Sequence, residues 1–125
     1  VYENTEENKY ITSLEEYSFY DCSNLTSAKI SSGITSIKTS TFSGSGVISI
    51  TIPNTVTIIG EGAFYLCSSL GEVYYEGTAE NWAEIDIDSF DNYDLIYATR
   101  YYYSETQPTT SGNYWHYVDG VVTKW

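Results

Sequence analysis

Very few side chains in this sequence could do chemistry. There is one histidine, His116, two cysteines, Cys22 and Cys67, and a run of carboxylates at Asp86, Asp88, Asp91 and Asp94. His116 has Asp119 three residues on, but the YWHYVDGVVTKW stretch around them reads as a hairpin with Asp119-Gly120 at its turn. That register sends the two side chains to opposite faces or into the turn. No nucleophile elbow, Cys–His pairing or glycine-rich phosphate loop accompanies them, so His116 reads as structural and no catalytic residue is assigned. The carboxylates in IDIDSFDNYD have a density that could hold calcium. The EF-hand pattern fails, however, because Phe90 takes the fifth loop position and Asp91 replaces the required glycine. A solvated acidic loop is the expectation over 86–94. No metal or other cofactor is expected.

The remaining candidates are aromatic. Fourteen tyrosines and three tryptophans occur in 125 residues, and such rings supply rigid amphipathic contact area for sugars or proteins. Trp115, Tyr117 and Trp125 are a possible platform. The competing reading makes Trp82, Trp115 and Trp125 the core of a terminal cap.

These residues are positioned by a repeat. Ile11, Ile34 and Val56 correspond, as do Leu14, Ile37 and Ile59, and Phe19, Phe42 and Phe64. Leu25, Val47 and Leu70 follow, then Ala28, Ile50 and Val73, then Ile30, Ile52 and Tyr75. Steps are 23 residues (Ile11 to Ile34), or 22 across one missing residue between Ser43 and Val47. A period in the low twenties marks a solenoid whose coils cannot bury their apolar faces singly. Each coil offers one alternating stretch, of the Leu25-x-x-Ala28-x-Ile30 type, and a shorter opposite wall. A turn then carries a small residue (Ser18, Thr41 or Ala63) before the recurring phenylalanine.

Cys22 and Cys67 occupy the same site in the first and third copies, with Ser45 between them. At about 4.8 Å per coil they lie roughly 10 Å apart, too far for a disulfide, which needs Cα atoms within about 7 Å. Both are expected to be buried free thiols.

The motifs LTSAKISSGITSIKTSTF, VISITIPNTVTIIGEGAFYLC and LGEVYY resemble the leucine-rich repeats of the BspA (Treponema-type) class over residues 10 to 75. The resemblance implies a curved stack of parallel strands, a secreted or cell-surface location on a bacterium, and binding or adhesion in place of catalysis. It also implies that a partner meets the outward ladder of Lys29, Thr51 and Tyr74, flanked by Ser27, Ser49 and Glu72. The partner would be a protein, such as a host surface protein, or a glycan. The expected fold is a leucine-rich repeat solenoid, mainly β with parallel strands. A small mixed α+β C-terminal cap ending in a β-hairpin closes it.

The expected organisation is therefore 1–9 as a linker or frayed preceding repeat, 10–75 as three repeats, and 76–125 as the cap, with the hairpin at 114–125. Within the cap, Thr78 before AENW reads as the N-cap of a short helix. DNYDLIYAT reads as a further turn or helix, and RYYYS as a strand. Alternative roles for the whole are a purely structural terminus of a longer array and a carbohydrate-binding aromatic tail.

The net charge of −12 and five scattered basic residues exclude the positive stripe that nucleic acid requires. The acidity favours solubility or a basic partner. No apolar run approaches membrane-spanning length, so no membrane insertion is expected. The chain opens on Val1 and lacks methionine, which reads as a processed or expressed C-terminal fragment without a signal peptide, and a monomer is expected.

Overall fold

The computed structural model describes residues 7–125. Ten strands and two short helices follow in the order β1 (Asn8–Ile11), β2 (Ser27–Ile30), β3 (Ser36–Ile37), β4 (Ser49–Pro53), β5 (Ile58–Ile59), β6 (Glu72–Glu76), α1 (Ala79–Ala83), β7 (Asp86–Ile87), α2 (Tyr93–Tyr97), β8 (Thr99–Tyr103), β9 (Tyr114–Val118) and β10 (Val121–Lys124). They make a seven-stranded sheet, β1-β2-β4-β6-β8-β9-β10, and a three-stranded one, β3-β5-β7. Every pairing is parallel except that of β9 with β10. The fold is mainly β and mostly parallel.

The period dictates the register. Ala28, Ile50 and Val73 are direct partners across β2, β4 and β6, and Ile52 faces Tyr75. Their side chains meet those of Ile37 and Ile59 from the smaller sheet in one core. Between the sheets each turn contributes its phenylalanine. Phe19, Phe42 and Phe64 stack with ring centroids 5.3 Å apart at each step, which is the strand spacing carried into the side chains. The turn backbone repeats as well. Tyr17, Ser40 and Gly62 all have φ near +60°, and so do Asp21, Gly44 and Leu66 four residues further on. Glycine fills two of these six left-handed sites; the other four carry a local steric cost.

Cys22 and Cys67 are buried free thiols, as expected from their separation. Cys67 Sγ donates to the Phe42 carbonyl at 3.0 Å and lies 3.7 Å from Ser45 Oγ. Burial pushes its thiol up to about 11. The Cys22 thiol is also raised, by burial first and then by the Asp21 carboxylate.

Two expected boundaries move. Asn8 and Lys9, assigned to a linker or a frayed preceding repeat, are the first residues of β1 and pair with Ser27 and Ala28; residues 1–6 of that segment lie outside the described residues. Strand stacking also passes Tyr75, where the sequence repeat stops. β7 continues the smaller sheet beside β5, and β8 continues the larger one beside β6. The register places Arg100 opposite Val73 and Tyr102 opposite Tyr75. The Arg100 guanidinium lies 4.5 Å over the Trp82 ring, and its Nε donates to the Tyr102 hydroxyl at 2.9 Å. An amphipathic side chain whose stem and planar head cover apolar surface replaces an aliphatic anchor, so the pattern is hidden in sequence.

The expected local elements after Tyr75 form. Thr78 caps α1 in a reciprocal capping box with Asn81. The hairpin pairs Val118 with Val121, His116 with Thr123 and Trp115 with Lys124. Asp119 and Gly120 both take positive φ, as a type I′ turn requires.

Candidate functional site

The outward ladder forms in register. Lys29, Thr51, Tyr74 and Tyr101 are successive neighbours, and Ser27, Ser49, Glu72 and Thr99 run beside them. It is not the open face expected from the sequence. Thr51 is only 5% exposed and Tyr74 only 7%. The reason is the hairpin, whose inner side lies over the outer face of the parallel strands.

Three contacts hold it there. Trp115 packs edge-on against Tyr74 at 5.7 Å, and the Lys124 ammonium pairs with Glu72. The third is the Tyr117 ring, which lies 4.5 Å from Lys29 Nζ. Trp115 is wholly buried and its Nε1 donates to the Tyr75 carbonyl at 2.8 Å. Tyr103 and Tyr117 meet it edge-on at 5.2 and 4.8 Å.

The electrostatics follow from this closure. Lys124 holds the Glu72 carboxyl below its ordinary range, helped by a 2.9 Å hydrogen bond from the Tyr74 hydroxyl. Burial and that same carboxylate raise the Tyr74 phenol to about 12. Tyr117 donates to Glu76 at 2.8 Å, and burial with this bond raises its phenol too.

The expected platform of Trp115, Tyr117 and Trp125 does not form as one surface. Trp115 and Tyr117 face inward over the ladder. Trp125 lies flat on His116, with centroids 3.7 Å apart and an interplanar angle of 12°. Alternation along the hairpin separates neighbouring positions onto two faces. His116 is thereby one side of an aromatic stack, and Trp125 Nε1 donates to the Ser104 carbonyl at 2.7 Å.

The acidic stretch is built around an amide that sequence reasoning missed. Asn92 is fully buried. Its Oδ1 accepts from the Phe64 N–H at 3.1 Å, while its Nδ2 donates to the carbonyls of Gly60 and Asp88 at 3.0 and 2.8 Å. In the two preceding turns the phenylalanine N–H is met by a backbone carbonyl, that of Thr41 or Ala63. Asn92 supplies with a side chain what the next turn would have supplied with its backbone. Asp88 Oδ1 accepts from the Phe90 N–H. Among the described residues no three His, Cys, Asp or Glu side chains converge as metal ligands would.

Between ladder and hairpin lies a groove of about 370 Å³, floored by Lys29, Thr51 and Tyr74 and walled by Tyr10, Tyr117 and Val122. Among its described lining residues the titratable groups are Lys9, Lys29 and the hydroxyls of Tyr10, Tyr74 and Tyr117. Parallel strands β2, β4 and β6 recurring at 22 or 23 residues, with one phenylalanine stacked per turn, define a strand-repeat protein with a roofed outer face. The chain belongs to the BspA-type leucine-rich repeat family, whose description, BspA type Leucine rich repeat region (6 copies), matches residues 2–106. That span reaches beyond Tyr75 and takes in β7 and β8. No curated protein and no solved structure matches the chain.

Proposed function

We infer that this chain is a non-catalytic binding module of a secreted or cell-surface protein, working through the groove between the ladder and the hairpin. Repeats of this family are typically surface or secreted and generally non-catalytic, and among the described residues no helix is long and apolar enough to cross a membrane. We further read the stacked strands as solenoid coils and the segment from Ser104 to Trp125 as their closing cap.

The observation that carries the reading is the groove itself, lined on one side by ladder residues Lys29, Thr51 and Tyr74 and on the other by hairpin residues Tyr117 and Val122. A flat protein surface cannot reach Thr51 beneath this roof. A specific protein interface buries about 800 Å² per partner, whereas a groove of this size suits a glycan end or a short side-chain-like group. Binding by ladder and hairpin together therefore replaces adhesion by the ladder alone. The purely structural reading is favoured separately by Trp115, whose burial against Tyr74 and Tyr75 seals the last strands.

Amide chemical-shift mapping of the chain against a panel of glycans and host surface proteins tests the reading. Shifts centred on Lys29, Thr51, Tyr74 and Tyr117 are expected for a true ligand. A tight ligand whose footprint avoids all four would refute it.

A further inference from the structure

The charges around the groove are unlike those of the rest of the molecule. The chain has 17 acidic and five basic residues, yet among the described residues that line the groove Lys29 is a cation and none is a carboxylate. Two nearby acids are engaged elsewhere: Glu72 with Lys124 and the Tyr74 hydroxyl, and Glu76 with the Tyr117 hydroxyl. Among the described residues the ion pairs of Lys38 with Glu15 and Lys124 with Glu72 have no counterpart at Lys29. Its ammonium instead lies over aromatic rings, 4.5 Å from the Tyr117 centroid and 5.8 Å from that of Tyr10. Cation–π contact holds the charge in place without neutralising it.

We propose that the groove binds an acidic sugar unit, a pyranose ring bearing a carboxylate, at the end of a glycan. This rests on the groove being the binding site. The ring's C–H face packs on Tyr117 or Tyr10, since aromatic faces suit flat amphipathic groups. Its hydroxyls meet Ser49 and Thr51 on the floor. Its carboxylate takes a charge-assisted hydrogen bond from Lys29, the class of bond roughly twice as strong as a neutral one. The volume, about 370 Å³, lies at the lower end of the usual ligand range of about 300–1,000 Å³, so the site admits one ring and not a longer chain. The negative field of the whole molecule opposes any anion outside this one place, which gives the groove selectivity against acidic polymers lying along the surface.

Glucuronate and glucose form the test, because they differ only in a carboxylate for a hydroxymethyl group. Titrated into the full chain at equal ionic strength and followed by amide shifts, glucuronate should move Lys29, Thr51, Tyr117 and Gly120. Glucose should bind at least tenfold more weakly. Lys29→Gln should abolish the difference with unchanged melting, and Lys29→Arg should keep it. Equal affinity for the two sugars, or a preference surviving Lys29→Gln, overturns the proposal. So does the absence of groove shifts with either sugar. If glucuronate fails while another ligand's footprint still falls on the groove, only the acidic-sugar assignment is lost; a footprint elsewhere removes the groove reading as well.

Discussion

Replacing Trp115 is the most informative perturbation, because among the side chains that tie the hairpin to the parallel strands it is the wholly buried one. Its ring is wholly buried and touches Tyr74, Tyr103 and Tyr117. Truncating a buried tryptophan to alanine costs about 3–5 kcal/mol through lost transfer energy and the cavity left behind. Three edge-on aromatic contacts, each worth about 0.5–1.5 kcal/mol beyond area burial, put Trp115→Ala toward the upper end of that range. Trp115→Phe keeps most of the ring but leaves the Tyr75 carbonyl without its donor, a loss of about 1–3 kcal/mol. Trp125→Ala is the control, since Trp125 is 44% exposed on the opposite face, and it should cost about 1 kcal/mol or less. Urea unfolding of the four proteins gives the ranking. For a domain whose whole stability is of the order of 5–15 kcal/mol, Trp115→Ala should leave a marginal fold in which Thr51 and Tyr74 lose amide protection. A cost below about 1 kcal/mol for Trp115→Ala, or one equal to that of Trp125→Ala, would refute the idea that the hairpin is integral to the sheet.

The other expectations concern single elements. Asn92→Leu should destabilise by about 1–3 kcal/mol, because it strands the Phe64 N–H and the Gly60 carbonyl inside the protein; a neutral result in urea unfolding would remove its role as the terminator of the turn stack. Leu66→Gly should stabilise by roughly 1 kcal/mol, since Leu66 holds φ at 55° while 60% exposed and loses little packing when truncated; a lower melting temperature would contradict this. Glu72 has a folded pKa below its unfolded one, so its stabilisation is present above about pH 4.5 and is lost as pH falls further through the folded value. The Lys124 contact should therefore weaken only in that acidic window, and Glu72→Gln should flatten the acid limb of the stability profile; an unchanged limb would count against it. In native protein Cys67 should resist a thiol reagent at pH 8, being buried with its thiol raised to about 11, and unfolding without reductant should release two thiols per chain, where recovery of a disulfide would contradict the coil register.

What the sequence determined by itself is everything that repeats. The spacing of Phe19, Leu25 and Ala28 with their counterparts specifies which residues stack, because strand pairing in parallel register places like beside like; Ile11 departs from it, lying opposite Ile30 in the larger sheet and not over Ile34. The same spacing keeps Cys22 and Cys67 apart. Local rules were also sufficient for the Thr78 N-cap and the Asp119-Gly120 turn, where each residue's own geometry decides the outcome. Only the tertiary structure decided the stack beyond Tyr75, in which Arg100 and Tyr102 stand where aliphatic anchors would and Asn92 supplies with its side chain what the earlier turns take from a backbone carbonyl. It alone decided the site too. Alternation gives the face of Thr51 and Tyr74 correctly, but whether an outward face meets water depends on what folds across it. The hairpin from Tyr114 to Lys124 does so through Trp115, Tyr117 and Lys124. Their partners, Tyr74, Lys29 and Glu72, lie roughly 40 to 90 residues earlier in the chain, beyond the reach of the local pattern rules that place strands and turns.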